Sequence, residues 1–459
     1  MARVVKKRST RGASSSAAWP RDFLWGVSTS SFQIEGATRE DGRGLSIWDS
    51  FCAAGRVANR DTGDIACDHY HRYAEDVALM KTLGVQAYRF SVAWPRLLPG
   101  GRGPANEAGL AFYDRLIDAL LEARIEPWLC LYHWDLPQAL DDLGGWMVRD
   151  AAGWFADYAT LVARRYGDRV KRFATFNEPS VFTLFGYGFG DSAPGISGPD
   201  RLRRAIHNVN LAHGAAVDVI RAIVPDALIG AIHNYQPCLP STPADNEAAE
   251  LFGAYWNHAF PDPQCLGTYP AHLAAAMEPY VQAGDLARIC RPIDWFGLNH
   301  YSPLYAKTNK DTPLGFTFGS APPDLSHTPI AWPIHPDAFR DSLLEVSARY
   351  RLPIYVTENG FGGHEAPDAA GSVNDASRID YLKCYIEAMH QAIAEGADVC
   401  GYFVWSLLDN FEWGSGYGVR FGLVYVDYPT LRRIPKASFR WYSDFIKSAE
   451  RERRAARVT

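Results

Sequence analysis

The chain has 459 residues, with 46 lysines and arginines against 52 aspartates and glutamates, and 47% of it is hydrophobic. A formal charge of −6 excludes the basic field that nucleic acid or an anionic membrane would need, and no apolar run is long enough to span a bilayer. Eight cysteines are scattered without a CxxC pair or a zinc-like cluster, which implies free thiols, a reducing compartment and hence the cytoplasm.

Residues 1–18 carry Arg3, Lys6, Lys7, Arg8 and Arg11 with no apolar stretch behind them, the pattern of a disordered tail and not of a signal peptide. Strand-like runs follow at 23–27, 87–92, 125–132, 172–176, 228–233, 293–298, 353–357 and 401–405. Between them lie helical stripes such as Leu110, Tyr113, Ile117 and Leu120, and later Ile379, Leu382, Ile386, Met389 and Ile393. Eight strand-then-helix units predict a single (β/α)8 TIM barrel over 19–449. A doubly wound sheet is disfavoured because no GxGxxG turn follows the first strand. Stretches at 178–200, 236–292, 302–335 and 407–435 are too long for barrel connectors and read as irregular loops that shape a pocket. Arg451, Arg453, Arg454 and Arg457 mark a basic C-terminal tail over 450–459.

Two glutamates stand out. Glu178 in Thr175-Phe176-Asn177-Glu178-Pro179 and Glu358 in Thr357-Glu358-Asn359-Gly360 each follow an apolar strand run and each sit beside an asparagine. In a parallel barrel the C-terminal strand ends carry the chemistry. Either glutamate alone is equally well read as a solvated loop residue; the matched pair points to the two carboxyls of a glycosidase.

Further motifs agree in order and spacing. Phe23 to Gly36 (FLWGVSTSSFQIEG), Tyr88-Arg89-Phe90-Ser91-Val92-Ala93-Trp94-Pro95-Arg96, Leu131-Tyr132-His133-Trp134-Asp135-Leu136-Pro137, Gly297-Leu298-Asn299-His300-Tyr301 and Trp405 to Trp413 (WSLLDNFEW) resemble, with the two glutamate motifs, glycoside hydrolase family 1, the β-glucosidase family. The resemblance runs nearly the full length. It implies a retaining mechanism with Glu358 as nucleophile and Glu178 as acid and then base, their carboxyls about 5–5.5 Å apart. Arg89 is implied beside Glu358, favouring its charged form, and the charge on Glu358 is expected to keep Glu178 protonated by like-charge repulsion. Gln33, His133, Trp134, Asn177 and Glu412 are implied sugar contacts, Asn177 near the 2-hydroxyl. Tyr301 is implied as a hydrogen-bond donor to the nucleophile with Asn299 in support, and Trp405 and Trp413 as flat surfaces for the sugar.

Within that family, Glu412-Trp413 argues against the phospho-β-glycosidase branch, since a carboxylate at 412 would repel a phosphate. The presence of Glu178 argues against thioglucosidases, which lack the acid/base glutamate. The implied substrates are β-D-glucosides, with β-D-galactosides or β-D-fucosides beside them, as small molecules or short oligosaccharides. No cofactor and no metal is called for, and no His-x-His cluster supports a metal-dependent hydrolase. Neither nucleic acid nor membrane is an expected partner, while a homo-oligomer is compatible with the chain. A non-catalytic sugar-binding barrel of the same family, or a phospho-β-glycosidase, is the alternative.

Overall fold

The computed structural model describes residues 19–455. Eight parallel strands close on themselves: β1 Leu24–Ser28, β2 Ala87–Ser91, β3 Glu126–Tyr132, β4 Arg172–Asn177, β5 Leu228–Asn234, β6 Trp295–Asn299, β7 Ile354–Asn359 and β8 Val399–Trp405. Each pairs with its chain neighbours, and β1 closes the ring on β8 with Leu24 opposite Gly401 and Ser28 opposite Trp405. These strands are buried on both faces, which is why they read as near-continuous apolar runs instead of alternating ones. Inside the barrel, Trp128 packs against Trp295, Tyr355 and Phe403 at ring separations of 5.1, 4.7 and 5.2 Å. Glycines make room for this plug: a Cβ on Gly230 would stand 2.3 Å from the Trp295 ring.

One helix after each strand forms the outer layer: α1 His69–Leu83, α2 Glu107–Glu122, α3 Ala151–Tyr166, α4 Pro199–Ile223, α5 Asp285–Ile289, α6 Pro336–Tyr350, α7 Ala376–Ala394 and α8 Ala437–Ala455. The α2 stripe is buried as expected. On α7 the buried face is broader than the aliphatic stripe, because Tyr381 and Tyr385 join Leu382, Ile386 and Met389.

Two expectations need correction. Helix α8 continues through Ala455, so residues 450–455 belong to the barrel and not to a basic tail. The Arg453 guanidinium donates to the Phe23 carbonyl at 2.7 Å, and Gln86 bonds Glu450. Arginines in a last helical turn complement its exposed carbonyls, which makes the charge run compatible with helix. The expected tails at 1–18 and 456–459 lie outside the described residues.

The long connections are also not irregular throughout. Residues Pro179–Thr183 and Asn246–Gly253 are helical, Cys238–Pro240, Leu304–Thr308 and Phe316–Phe318 form a small sheet, and Val424–Asp427 pairs with Arg432–Pro435. Such elements are too short for a hydrophobic period to register. Among the described residues no helix is long and apolar enough to cross a membrane.

Candidate active site

The residue that sets the geometry is Arg89 on β2, fully buried. Its Nη1 donates to Glu358 Oε1 at 2.6 Å and its Nη2 to Asn177 Oδ1 at 2.6 Å, so one planar fork ties the ends of β4 and β7 together. Tyr301, just past β6, donates its hydroxyl to Glu358 Oε2 at 2.6 Å. Both oxygens of Glu358 thus receive a hydrogen bond, the environment that suits a carboxylate.

Glu178 follows β4 with φ +47°, the left-handed region that a side chain rarely adopts, and begins the helix Pro179–Thr183. Trp134 and Trp413 share a positive φ, at +78° and +47°. Three outliers around one cavity mark a place where conformational cost is tolerated for position. The Glu178 Oε1 accepts from Asn299 Nδ2 at 2.8 Å and Asn234 Nδ2 at 2.9 Å. Both amides are oriented by a further donor: Thr357 donates to Asn299 Oδ1 at 2.7 Å and the Trp256 indole to Asn234 Oδ1 at 3.2 Å. Oε2 is left to carry a proton. The carboxyl is pushed up to about 8, first by burial and then by the charge on Glu358, against the pull of the two asparagines and Arg89.

Around this pair, His133 lies between Trp405 and Trp413 at 5.8 and 5.9 Å, and burial beside Arg89 holds its imidazole neutral. Gln33 donates to Asn410 Oδ1, to the Phe411 carbonyl and to Glu412 Oε2 at 3.0, 2.9 and 3.4 Å. Glu412 is pushed up to about 8, again by burial first and the Glu358 charge second. All of these groups meet at the strand C-termini, where a cavity of about 600 Å³ opens.

The sequence profile of Glycosyl hydrolase family 1 matches residues 15–451. The chain belongs to glycosyl hydrolase family 1. It is 44% identical to Beta-glucosidase A of Thermotoga maritima over 438 residues, 94% of this chain and 98% of that one. It is 42% identical to the bifunctional beta-D-glucosidase/beta-D-fucosidase of Bifidobacterium breve over 455 residues, covering 93% and 98%. The solved structure of the Thermotoga maritima beta-glucosidase in complex with glucoimidazole superposes with a TM-score of 0.90 at 44% identity, covering 94% of this chain and 99% of that one.

In this family 1 chain the expected residues fall into two layers. His133, Trp134, Glu178, Tyr301, Glu358, Trp405, Glu412 and Trp413 line the cavity. Behind them stand Arg89, Asn177, Asn299 and Gln33, buried and engaged in hydrogen bonds. Asn177 accepts from Arg89 and Asn299 at Oδ1, while its Nδ2 faces His133 Nε2 at 3.1 Å and has a second N–H to offer.

Two points of the sequence reading change. Burial, not like-charge repulsion, is the largest influence on Glu178. Charge repulsion of a phosphate by Glu412 is weakened, because burial and the charge on Glu358 push that carboxyl up to about 8. What disfavours a phosphate is that, among the described residues, no lysine or arginine lines the cavity.

Asn234 was missed, although it ends a strand just as Asn177 and Asn299 do, and that parallel is the signal that could have found it. Also missed was a buried chain of alternating charge: Asp375 to Arg378 at 2.9 Å, Arg378 to Glu365 at 2.6 Å, Glu365 to Lys436 at 3.4 Å, Lys436 to Asp409 at 2.8 Å and Asp409 to Arg420 at 2.7 Å. It joins the loop that follows Glu358 to the loop that carries Glu412 and Trp413. Nothing in sequence spacing marks such a chain, since its members come from five separate segments. Among the described residues no group of three or more histidines, cysteines or acids is arranged to hold a metal ion.

Proposed function

We propose that the protein is a retaining β-glycosidase that removes terminal β-D-glucosyl residues, with β-D-galactosides and β-D-fucosides as further substrates. The observation that carries this is the unequal treatment of two carboxyls in one cavity: Glu358 is held by two donors, Arg89 and Tyr301, while Glu178 is buried and pushed up to about 8. Breaking a glycosidic bond needs electron density on the anomeric carbon and a proton on the leaving oxygen, and the pair supplies one each.

Glu358 attacks the anomeric carbon and forms a glycosyl ester as Glu178 passes its proton to the leaving oxygen. The ester removes the negative charge that raised Glu178, so the now ionised Glu178 becomes the base that takes a proton from water. Water then attacks the same carbon, the ester bond breaks, and the configuration is kept after two inversions. Arg89 and Tyr301 orient Glu358, and His133, Glu412 and the ring faces of Trp405 and Trp413 hold the sugar. Eight free cysteines support a reducing, cytoplasmic setting.

The test is hydrolysis of an aryl β-D-glucoside followed by NMR. Release of β-glucose first supports the proposal. Release of α-glucose would refute the retaining mechanism, and no turnover at any pH would leave a sugar-binding barrel as the better account.

A further inference from the structure

Tyr301, whose hydroxyl holds Glu358, stands two residues past the end of β6, so its own backbone lies beyond the barrel ladder. Helix α7 takes up its carbonyl instead. Tyr381 and Tyr385, one helical turn apart, both donate their hydroxyls to the Tyr301 carbonyl, at 2.9 and 3.0 Å. Their rings stack at 4.0 Å and are buried.

The direction of these bonds is fixed by the surroundings. A tyrosine hydroxyl has one proton to give, and the second partner of each is itself a donor: Asn359 Nδ2 faces the Tyr381 hydroxyl at 3.1 Å and the His335 amide faces the Tyr385 hydroxyl at 3.0 Å. Both protons are therefore directed at the Tyr301 carbonyl. Asn359 is oriented in turn, because its Nδ2 also donates to the His300 carbonyl at 2.7 Å and its Oδ1 accepts from the Tyr402 hydroxyl at 2.6 Å.

This network joins the two ends of one hydrogen bond. Asn359 is the residue after Glu358, Tyr301 is the donor to Glu358, and the His300 amide donates to the Glu358 carbonyl at 3.0 Å. The backbones on either side of the Tyr301–Glu358 bond are thus tied to each other and to α7. Phenylalanine at 381 and 385 would fill the same volume without burying two hydroxyls, whose desolvation is costly unless each is paired. What the hydroxyls add is a fixed carbonyl, and with it a fixed base for the side chain that reaches Glu358. Neither tyrosine is part of the cavity lining.

We propose that Tyr381 and Tyr385 are positioning residues for the reaction, acting through Tyr301 to keep its hydroxyl aimed at Glu358. This rests on the glycosidase function proposed above, in which Glu358 attacks. A displacement of about 1 Å at a reacting group costs on the order of a hundredfold in rate, so a brace remote from the sugar still acts on the chemistry.

The experiment is a double-mutant cycle on kcat/KM for an aryl β-glucoside: the pair Tyr381→Phe and Tyr385→Phe is introduced together into the wild-type chain and into Tyr301→Phe. In the wild-type chain the pair is expected to lower kcat/KM roughly tenfold or more. In Tyr301→Phe, where no hydroxyl is left to aim, the same pair should cost less than about twofold. Equal losses in both backgrounds overturn the proposal, because they mark a structural role that does not pass through Tyr301, and no loss in the wild-type chain overturns it as well. Should the pair fail to fold, Tyr385→Phe alone, which leaves Tyr381 on the carbonyl, runs the same cycle, with a loss of about threefold expected in the wild-type chain and none in Tyr301→Phe. If the wild-type chain turned over no β-glycoside, the glycosidase function itself would fail, a result distinct from either pattern of losses.

Discussion

At the scale of single residues, the site rests on giving two glutamates different partners. Under the proposed mechanism Glu358→Gly should cut hydrolysis at least ~10⁴-fold, and added azide should restore turnover while yielding the α-configured glycosyl azide, read by NMR. Glu178→Ala should cost about 10²–10⁴-fold on substrates with poor leaving groups and much less on activated aryl glucosides, which need little protonation. The pH sign follows from the same environment. In the proposed role of acid Glu178 must hold its proton, so kcat/KM should fall on the alkaline side as pH rises through about 8. Glu412 titrates in the same range and the groups interact, so the limb belongs to the set. With an activated substrate, a limb that survives in Glu178→Ala but disappears in Glu412→Gln would reassign the limb to Glu412.

At the scale of elements, strand ends and loops do different work. Strand ends supply Arg89, Asn177, Asn299 and Glu358 on a rigid ring, whereas Glu412 and Trp413 sit on a loop that needs outside support. The alternating charge chain through Lys436 provides it. Lys436 is fully buried between Asp409 and Glu365, so Lys436→Met breaks the charge chain at its centre, leaving buried Asp409 with Arg420 and half-buried Glu365 with Arg378. That change should lower stability by about 3–5 kcal/mol in chemical denaturation, and should raise KM for glucosides as the Glu412 loop loses its anchor. A denaturation midpoint close to wild type would mean that the chain does not hold the loop. The eight strands were legible because burial on both faces forces apolar, β-branched and aromatic runs, while α5, only five residues long, gave no period to read.

For the whole molecule, closure of the barrel converts sequence separation into contact. Glu178 and Glu358 are 180 positions apart, yet Arg89 on a third strand bridges from Glu358 to Asn177, the neighbour of Glu178. Among the described residues, no lysine or arginine lines the cavity. Accordingly, a 6-phosphorylated β-glucoside should be turned over at least about tenfold less efficiently than its unphosphorylated counterpart, the worth of one charge-assisted hydrogen bond. Direct comparison of kcat/KM for the two would check it, and equal values would mean that phosphate finds a cation outside this wall.

Local sequence alone determined the barrel strands and the family, and singled out the two carboxyls of the proposed mechanism, because strand burial and motif residues are written in contiguous stretches. Only the tertiary structure decided which expected sugar contacts line the cavity and which stand behind it, that Asn234 supports Glu178, and that burial outweighs charge in raising Glu178. Each of these depends on groups from different strands and loops being desolvated together, and desolvation is a property of the folded neighbourhood that no single stretch of chain carries.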